Sequence, residues 1–384
     1  MTFLKGLIAV LVVGLLLCQV LLVSRCGFSD SDLSPPKHYM ATSRLRASIP
    51  PPQSSQEITP NLIPNPIEHQ KEYDFTTAIC LVVKDGELYF EEWIEYHILA
   101  MKFDAIYIYD DSPTFELQQW FQNTRNHTTF SKVHVIHYNR TLDEVNGVAE
   151  EKYIQRFVYR DCVNLFGIAG PKHDYFAFFD IDEFLVLPGY PDKNKYADIR
   201  GVLQDYLVPY GGALTVNWMM IGSSNKKVAS PLPVTKRFQL RSNQTHNVIK
   251  SIVKATDFVA SRNPHAVTVK NNAEIHTTKF PGAKHKEAKG QTGASDHDYP
   301  SNILLLYHYR YTSQKEYIYK RCMRKQVDRG AIWCDKNGNS VKGGKKTPEH
   351  IQSVPGDVFD DTAWRFLTDR VPKYKLYDHF DDFH

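Results

Sequence analysis

The chain has no C-x-x-C pair and no Cys/His cluster, which removes the common zinc and dithiol arrangements. Its six cysteines are too few to act as a disulfide scaffold for 384 residues. Charge of one sign is also scarce: the formal net charge is +3 and no basic tail with interleaved aromatics is present, so nucleic acid is not an expected partner. No internal repeat is visible, which excludes a repeat array. What the chain does have is apolar surface. A hydrophobic content of 42%, with 12% aromatic, supports a sizeable core, and the length allows one large or two ordinary domains.

The N-terminus carries Lys5 and then an apolar run from Gly6 to Val23, broken only by Gln19. Its 18 residues are at the lower limit for a membrane-spanning helix and exceed most signal-peptide cores. No small-x-small cleavage site follows. The expected organisation is therefore a cytoplasmic tail at 1–5, an uncleaved signal-anchor at 6–23 and a lumenal remainder, with a cleaved signal peptide as the alternative. Residues 24–72, rich in Pro and Ser from 27 onward, read as a disordered, partly polyproline stem. Residues 73–384 read as the globular domain. Sequons at Asn126, Asn139 and Asn243 fit a lumenal location. Cys80 lies in an apolar run and reads as a core thiol, while Cys322 and Cys334 are near enough in sequence to pair in an oxidising compartment.

The globular part centres on Tyr175–Gly189, YFAFFDIDEFLVLPG, in which seven of the first ten residues are apolar. Gly170-Pro171 and Pro188-Gly189 bound it, so it reads as one strand buried on both faces. Along such a strand Asp180 and Asp182 share a face and Glu183 points to the other. Two adjacent carboxylates repel each other and resist desolvation, and a divalent cation is the simplest compensation. The bland alternative is a strand leaving the core with its acids solvated.

Around this stretch, strands are expected at Ala78–Val83, Ala105–Tyr109, Lys132–His137, Ala213–Trp218, Val248–Thr256 and Ile303–Tyr309. Helices are expected from Tyr89 to Met101, Thr114 to Gln122 and Glu150 to Phe166, with a basic one from Ser313 to Arg329. The alternation predicts an α/β fold, Rossmann-like, with a mainly parallel sheet flanked by helices. Such sheets bind ligands at the carboxyl ends of their strands, where Lys84, Asp110-Asp111 and Asp180–Asp182 all fall.

Five blocks in order resemble glycosyltransferase family 92. They are Lys84–Trp93 with His97, Ile106–Ser112, Asp180–Phe184, Trp218–Ser224, and His308-Tyr309 with Ser313. The first block departs from the family pattern at Gly86, where an acid is usual. The resemblance implies a GT-A fold and a type II Golgi membrane protein. It also implies inverting transfer of a hexose, with galactose from UDP-galactose foremost, to a glycan or glycoprotein acceptor, with Mn²⁺ as cofactor.

On that reading Asp182 coordinates the cation and Asp180 reaches the ribose or the metal through water. His308 is the candidate histidine ligand, with His265 as the alternative. Lys84, Asp110, Arg321 and Arg324 are candidates for the nucleotide. Glu183 is the nearest acid to serve as catalytic base, although strand alternation should turn it away. Three rival functions remain: a calcium-dependent carbohydrate-binding module, an inactive transferase-like protein, and a glycoside hydrolase. For the last, residues two apart on a strand stand only about 6.5 Å apart, which barely suits a flanking acid pair.

Overall fold

The computed structural model describes residues 72–84, 89–112, 117–124, 128–138, 154–295, 303–320 and 356–380. Every described residue lies within Gln56–His384. The expected tail, the anchor and the stem as far as residue 71 lie outside the described residues, as do Asn126, Asn139, Arg321, Arg324, Cys322 and Cys334. Among the described residues no helix is long and apolar enough to cross a membrane.

The first strand, β1 (Thr77–Val83), is buried along its whole length. It reads as a continuous apolar run because both of its faces are covered. It pairs in parallel with β2 (Ala105–Asp110), which pairs in parallel with β3 (Val133–His137). On its other side β1 pairs in parallel with β4 (Tyr175–Phe178). The segment expected to continue β4 does not. A turn through Phe179–Asp182 breaks it, and β5 (Glu183–Val186) belongs to the far end of the sheet. Further along come β6 (Ala213–Met220), the two-residue β7 (Leu240–Arg241), β8 (Ile249–Lys254), β9 (Phe258–Ser261), β10 (Val267–Val269), β11 (Ile275–Thr277), β12 (Leu305–His308) and β13 (Val358–Phe359).

Among the described residues the main sheet has nine strands in the order β3-β2-β1-β4-β8-β6-β12-β5, with β11 also on β6. Pairing is parallel except for β8 with β4 and β6, and β5 with β12. Three strands therefore stand between β4 and β5, a span of about 19 Å in a flat sheet. The turn that joins them is tight, with the Glu183 N–H on the Asp180 carbonyl at 3.0 Å. A fully extended connection of that length would reach only about 18 Å. The sheet must curl, and the acidic motif sits where the chain steps across the curl.

Helices cover both faces. One face takes α1 (Phe90–Glu95), prolonged by a π-helical turn at Tyr96–Ala100, and buries Trp93, Tyr96 and Ile98. The amphipathic α2 (Leu117–Thr124) packs on β3. The other face takes α3 (Ile154–Val163), which buries Val158, Tyr159 and Cys162 against Phe176 and Phe178. Cys80 is not a free thiol: it bonds Cys162 and so fastens β1 to α3. In the chain-entropy picture, closing a loop of 82 residues stabilises by about 4.5 kcal/mol. The remaining helices are α4 (Ile199–Tyr206), α5 (Val234–Arg237), α6 (Gln314–Ile318) and α7 (Thr362–Arg370). Buried Trp364, Phe366 and Leu367 join α7 to the same core as α1.

Candidate functional site

The parallel strands β1, β2 and β4 end on one edge, and the register puts Val83 level with Asp110 and Cys80 level with Phe178. Lys84, Asp110-Asp111 and the Asp180–Asp182 turn thus emerge at one rim, as their positions at strand ends predict. Lys84 Nζ lies 3.9 Å from Asp111 Oδ2, and both side chains are largely buried. Lys84 is thus set against Asp111. The Asp110 carboxylate instead accepts the Ser112 N–H at 3.0 Å and shapes the exit from β2.

In the turn, strand alternation no longer applies. Glu183 does not face away from Asp180: its Oε2 accepts the Asp180 N–H at 2.8 Å. Lys250, the second residue of β8, reaches Asp180 Oδ2 at 2.9 Å and Glu183 Oε2 at 3.3 Å, with no exposed surface of its own. Burial works against the Lys250 charge, but Asp180 and Glu183 outweigh it and raise its pKa. Burial pushes the Glu183 carboxyl up to about 8, against the opposing pull of Lys250. The shorter contact belongs to Asp180, whose side chain is 33% exposed, so Asp180 takes the ammonium and enclosed Glu183 is left the weaker acid. A carboxyl this enclosed does not meet an acceptor hydroxyl, so the candidate base Glu183 acts here as a positioning residue for the turn.

Asp182 has different partners. The Tyr309 N–H bonds the Asp182 carbonyl at 2.8 Å, extending the β5–β12 ladder in which His308 faces Glu183. That register brings His308 Nε2 to 3.4 Å from Asp182 Oδ2. The same oxygen accepts Lys320 Nζ. Burial opposes ionisation of Asp182, but Lys320 and then His308 overcome it and hold its carboxyl well below the usual range. Burial lowers His308 despite Asp182, which favours the neutral ring. Its Nδ1 is buried with no hydrogen-bond partner.

Trp218, near the end of β6, touches both histidines, His308 at 4.3 Å and His265 at 5.1 Å between ring centroids. His265 is tied by Nδ1 to the Ile249 carbonyl at 3.2 Å, and burial lowers its pKa to about 4. His308, not His265, is the ring set against Asp182.

No model of a known protein family matches the chain, and no curated protein matches it.

Among the described residues no three His, Cys, Asp or Glu side chains converge as a metal group. Two do fit one ion. Adjacent ligands at about 2.1 Å from an octahedral cation stand ~3.0 Å apart, close to the 3.4 Å between Asp182 Oδ2 and His308 Nε2. Each aspartate already holds a lysine, but Lys250 on Asp180 is fully enclosed whereas Lys320 on Asp182 is partly exposed, so Asp182 is the acid better placed for a bound cation.

The other motif residues build the scaffold. Glu92 accepts the N–H groups of Val234 and Thr235 at 2.5 and 2.9 Å, filling the start of α5. Trp93 Nε1 donates to the Glu183 carbonyl at 2.7 Å, and His97 Nδ1 meets the Trp93 carbonyl at 2.8 Å. Burial drives His97 down to about 3, so it is a neutral core histidine. Ser313 caps α6 in a capping box with Glu316, which also holds Arg237 through two 2.9 Å bonds.

Lys250 and Lys320 were missed as site residues. A signal existed for the first: Ile249–Lys254 is apolar except for its lysines and Ser251, and a lysine inside a two-faced strand needs a buried acid. For Lys320 the sequence offered only a basic helix. Beside the cluster opens a cleft of about 320 Å³, lined partly by Ile249 and Ser251, which flank Lys250, and by Ala266, which follows His265. Its lining includes neither aspartate.

Proposed function

We propose that the chain is a GT-A glycosyltransferase similar to family 92, transferring a hexose from a nucleotide diphosphate sugar with inversion and with a divalent cation, Mn²⁺ foremost. The observation that carries this reading is convergence: residues from separate sequence blocks meet at one rim. Trp93 bonds the backbone of Glu183, Trp218 packs on His308, and His308 approaches Asp182. Galactose from UDP-galactose and a glycan acceptor rest on the resemblance alone. The Cys80–Cys162 disulfide and exposed Asn243 support a lumenal setting, and hence the Golgi type II topology that the resemblance implies.

In this mechanism Asp182 and His308 would hold the cation, which when bound stabilises negative charge on the departing diphosphate. Lys250 and Glu183 fix the turn so that Asp182 is presented without searching. Lys84, partnered by Asp111 at the same rim, supplies positive charge near the strand ends where a phosphate would lie. The acceptor hydroxyl attacks the anomeric carbon, the bond to the diphosphate oxygen breaks, and a base takes the hydroxyl proton. Asp180 is the acid of the three with solvent access, and it is the candidate for that proton.

A second reading has its own support. Both aspartates are paired with lysines, as a transferase-like protein without turnover could tolerate. Enclosure of Glu183 counts against a hydrolase pair. Thermal unfolding of the full chain with Mn²⁺, with UDP and with both separates these readings. A transferase should gain more from the two together than from their sum, with UDP at saturating Mn²⁺ adding about 2.7 kcal/mol at a hundredfold excess over its Kd. Stabilisation by Ca²⁺ without nucleotide points to a binding module, and no joint effect of Mn²⁺ and UDP ends the transferase reading.

A further inference from the structure

Lys250 and Lys320 both neutralise an aspartate of the motif, yet they are built differently. Lys250 comes from a strand inside the sheet, has no exposed surface and grips two acids. Lys320 comes from just beyond α6, has a side chain 23% exposed, and lies on Asp182 Oδ2. The backbone before it is anchored, because Ser313 caps α6 and Glu316 is locked to Arg237 in a pair almost without solvent access. Beyond that anchor, Lys320 presents a long, flexible stem bearing a point charge.

The oxygen that Lys320 occupies is also the one beside His308 Nε2, the atom pair that fits an octahedral ion. An ammonium and a divalent cation cannot share that oxygen: they compete for the same lone pairs and repel each other in a poorly solvated site. Whatever binds a metal there has to send the lysine elsewhere. The nearest destination for a displaced cation is the anion that arrives with the metal.

We propose that Lys320 is a displaceable counter-ion. Before ligand binds it neutralises Asp182; when a divalent cation takes the Asp182 carboxylate, the ammonium passes to the diphosphate of the nucleotide. Lys320 is then a determinant of both affinities, with opposite signs. This rests on the nucleotide-sugar reading of the site.

The test uses the full chain and two substitutions, Lys320→Met and Lys320→Arg. Mn²⁺ binding without nucleotide is followed through the free-ion paramagnetic resonance signal, and UDP binding at saturating Mn²⁺ by calorimetry. K320M removes the competitor and the phosphate partner, so Mn²⁺ alone should bind about tenfold tighter and UDP about tenfold weaker. K320R offers Asp182 a planar fork that releases less readily, so Mn²⁺ alone should bind about threefold weaker. Opposite movement of the two variants supports the proposal, and the arginine arm decides should the methionine variant not fold. Mn²⁺ affinity unmoved in the variants, with wild-type binding intact, overturns the counter-ion while leaving the transferase reading in place. A wild-type chain that binds neither Mn²⁺ nor UDP removes both.

Discussion

Asp180 and Asp182 are two residues apart and carry the same functional group, but the fold treats them as different objects. Asp180, itself one-third exposed, belongs to a cluster with Glu183 and Lys250 that is closed at its lysine end, joined by contacts of 2.9 and 3.3 Å. Asp182 belongs to an open-sided cluster with His308 and the partly exposed Lys320. One cluster sets the path of the chain across the curl; the other holds a charge that can be exchanged. A two-acid motif is therefore not a symmetric pair of ligands, and each acid's role follows from which cation the fold gives it.

The sharpest way to break this contrast is to remove the buried cation. Lys250→Met leaves Asp180 and Glu183 facing each other and should cost about 3–5 kcal/mol, a large share of a typical domain's stability. Adding Glu183→Gln should recover much of that loss. Urea unfolding measures both, and a single-variant loss under about 1 kcal/mol would show that the closed cluster does not hold the turn.

Next in size is the exchangeable side. Asp182→Ala should lower donor turnover by about 10²–10³-fold, with a smaller loss of stability than Lys250→Met because partly exposed Lys320 can turn to solvent. His308→Ala should act in the same direction and His265→Ala much less. Transfer assays with UDP-galactose decide this ranking, and a dominant His265 would move the site to the other side of Trp218.

The smallest effect is a difference in pH response. The Glu183 pKa is raised from its ordinary 4.5 to about 8 on folding, so the folded chain holds that proton more tightly than the unfolded one. Its contribution is full below about pH 4.5 and is lost as pH rises toward 8. Asp182 is shifted the other way: its contribution is present above its ordinary 3.8 and disappears as the pH falls through its lowered value. Unfolding free energies at pH 5 to 8 should slope downward in wild type and flatten in Glu183→Gln; parallel curves would contradict this assignment.

Much of this architecture could be read from the residues. The α/β alternation, the parallel pairing at the strand ends and the placing of Lys84, Asp110 and the aspartates at one rim follow from apolar runs that stop at acids. The break in Tyr175–Gly189 could not be read, because apolar residues resume directly after the acids of FAFFDIDEFLV and no Gly or Pro marks the turn. What halts β4 is the Glu183 carboxylate on the Asp180 N–H together with Lys250, a contact 70 residues away in sequence. The Cys80–Cys162 bond joins positions 82 apart that carry no spacing signature. The C-terminal stretch gave no sign of its role. Its Lys373 and Tyr374 reach the Glu95 carboxylate, each at 2.7 Å, so the end of the domain clamps its first helix.

That cystine bears on how the protein can be made. Its two sulfurs lie in an interior strand and in the helix laid over it, with β2, α2 and β3 threaded between them in sequence. A bacterial cytosol, where thiols stay reduced, would leave β1 and α3 joined by packing alone. Periplasmic, insect or mammalian secretion is the production route that the fold itself recommends.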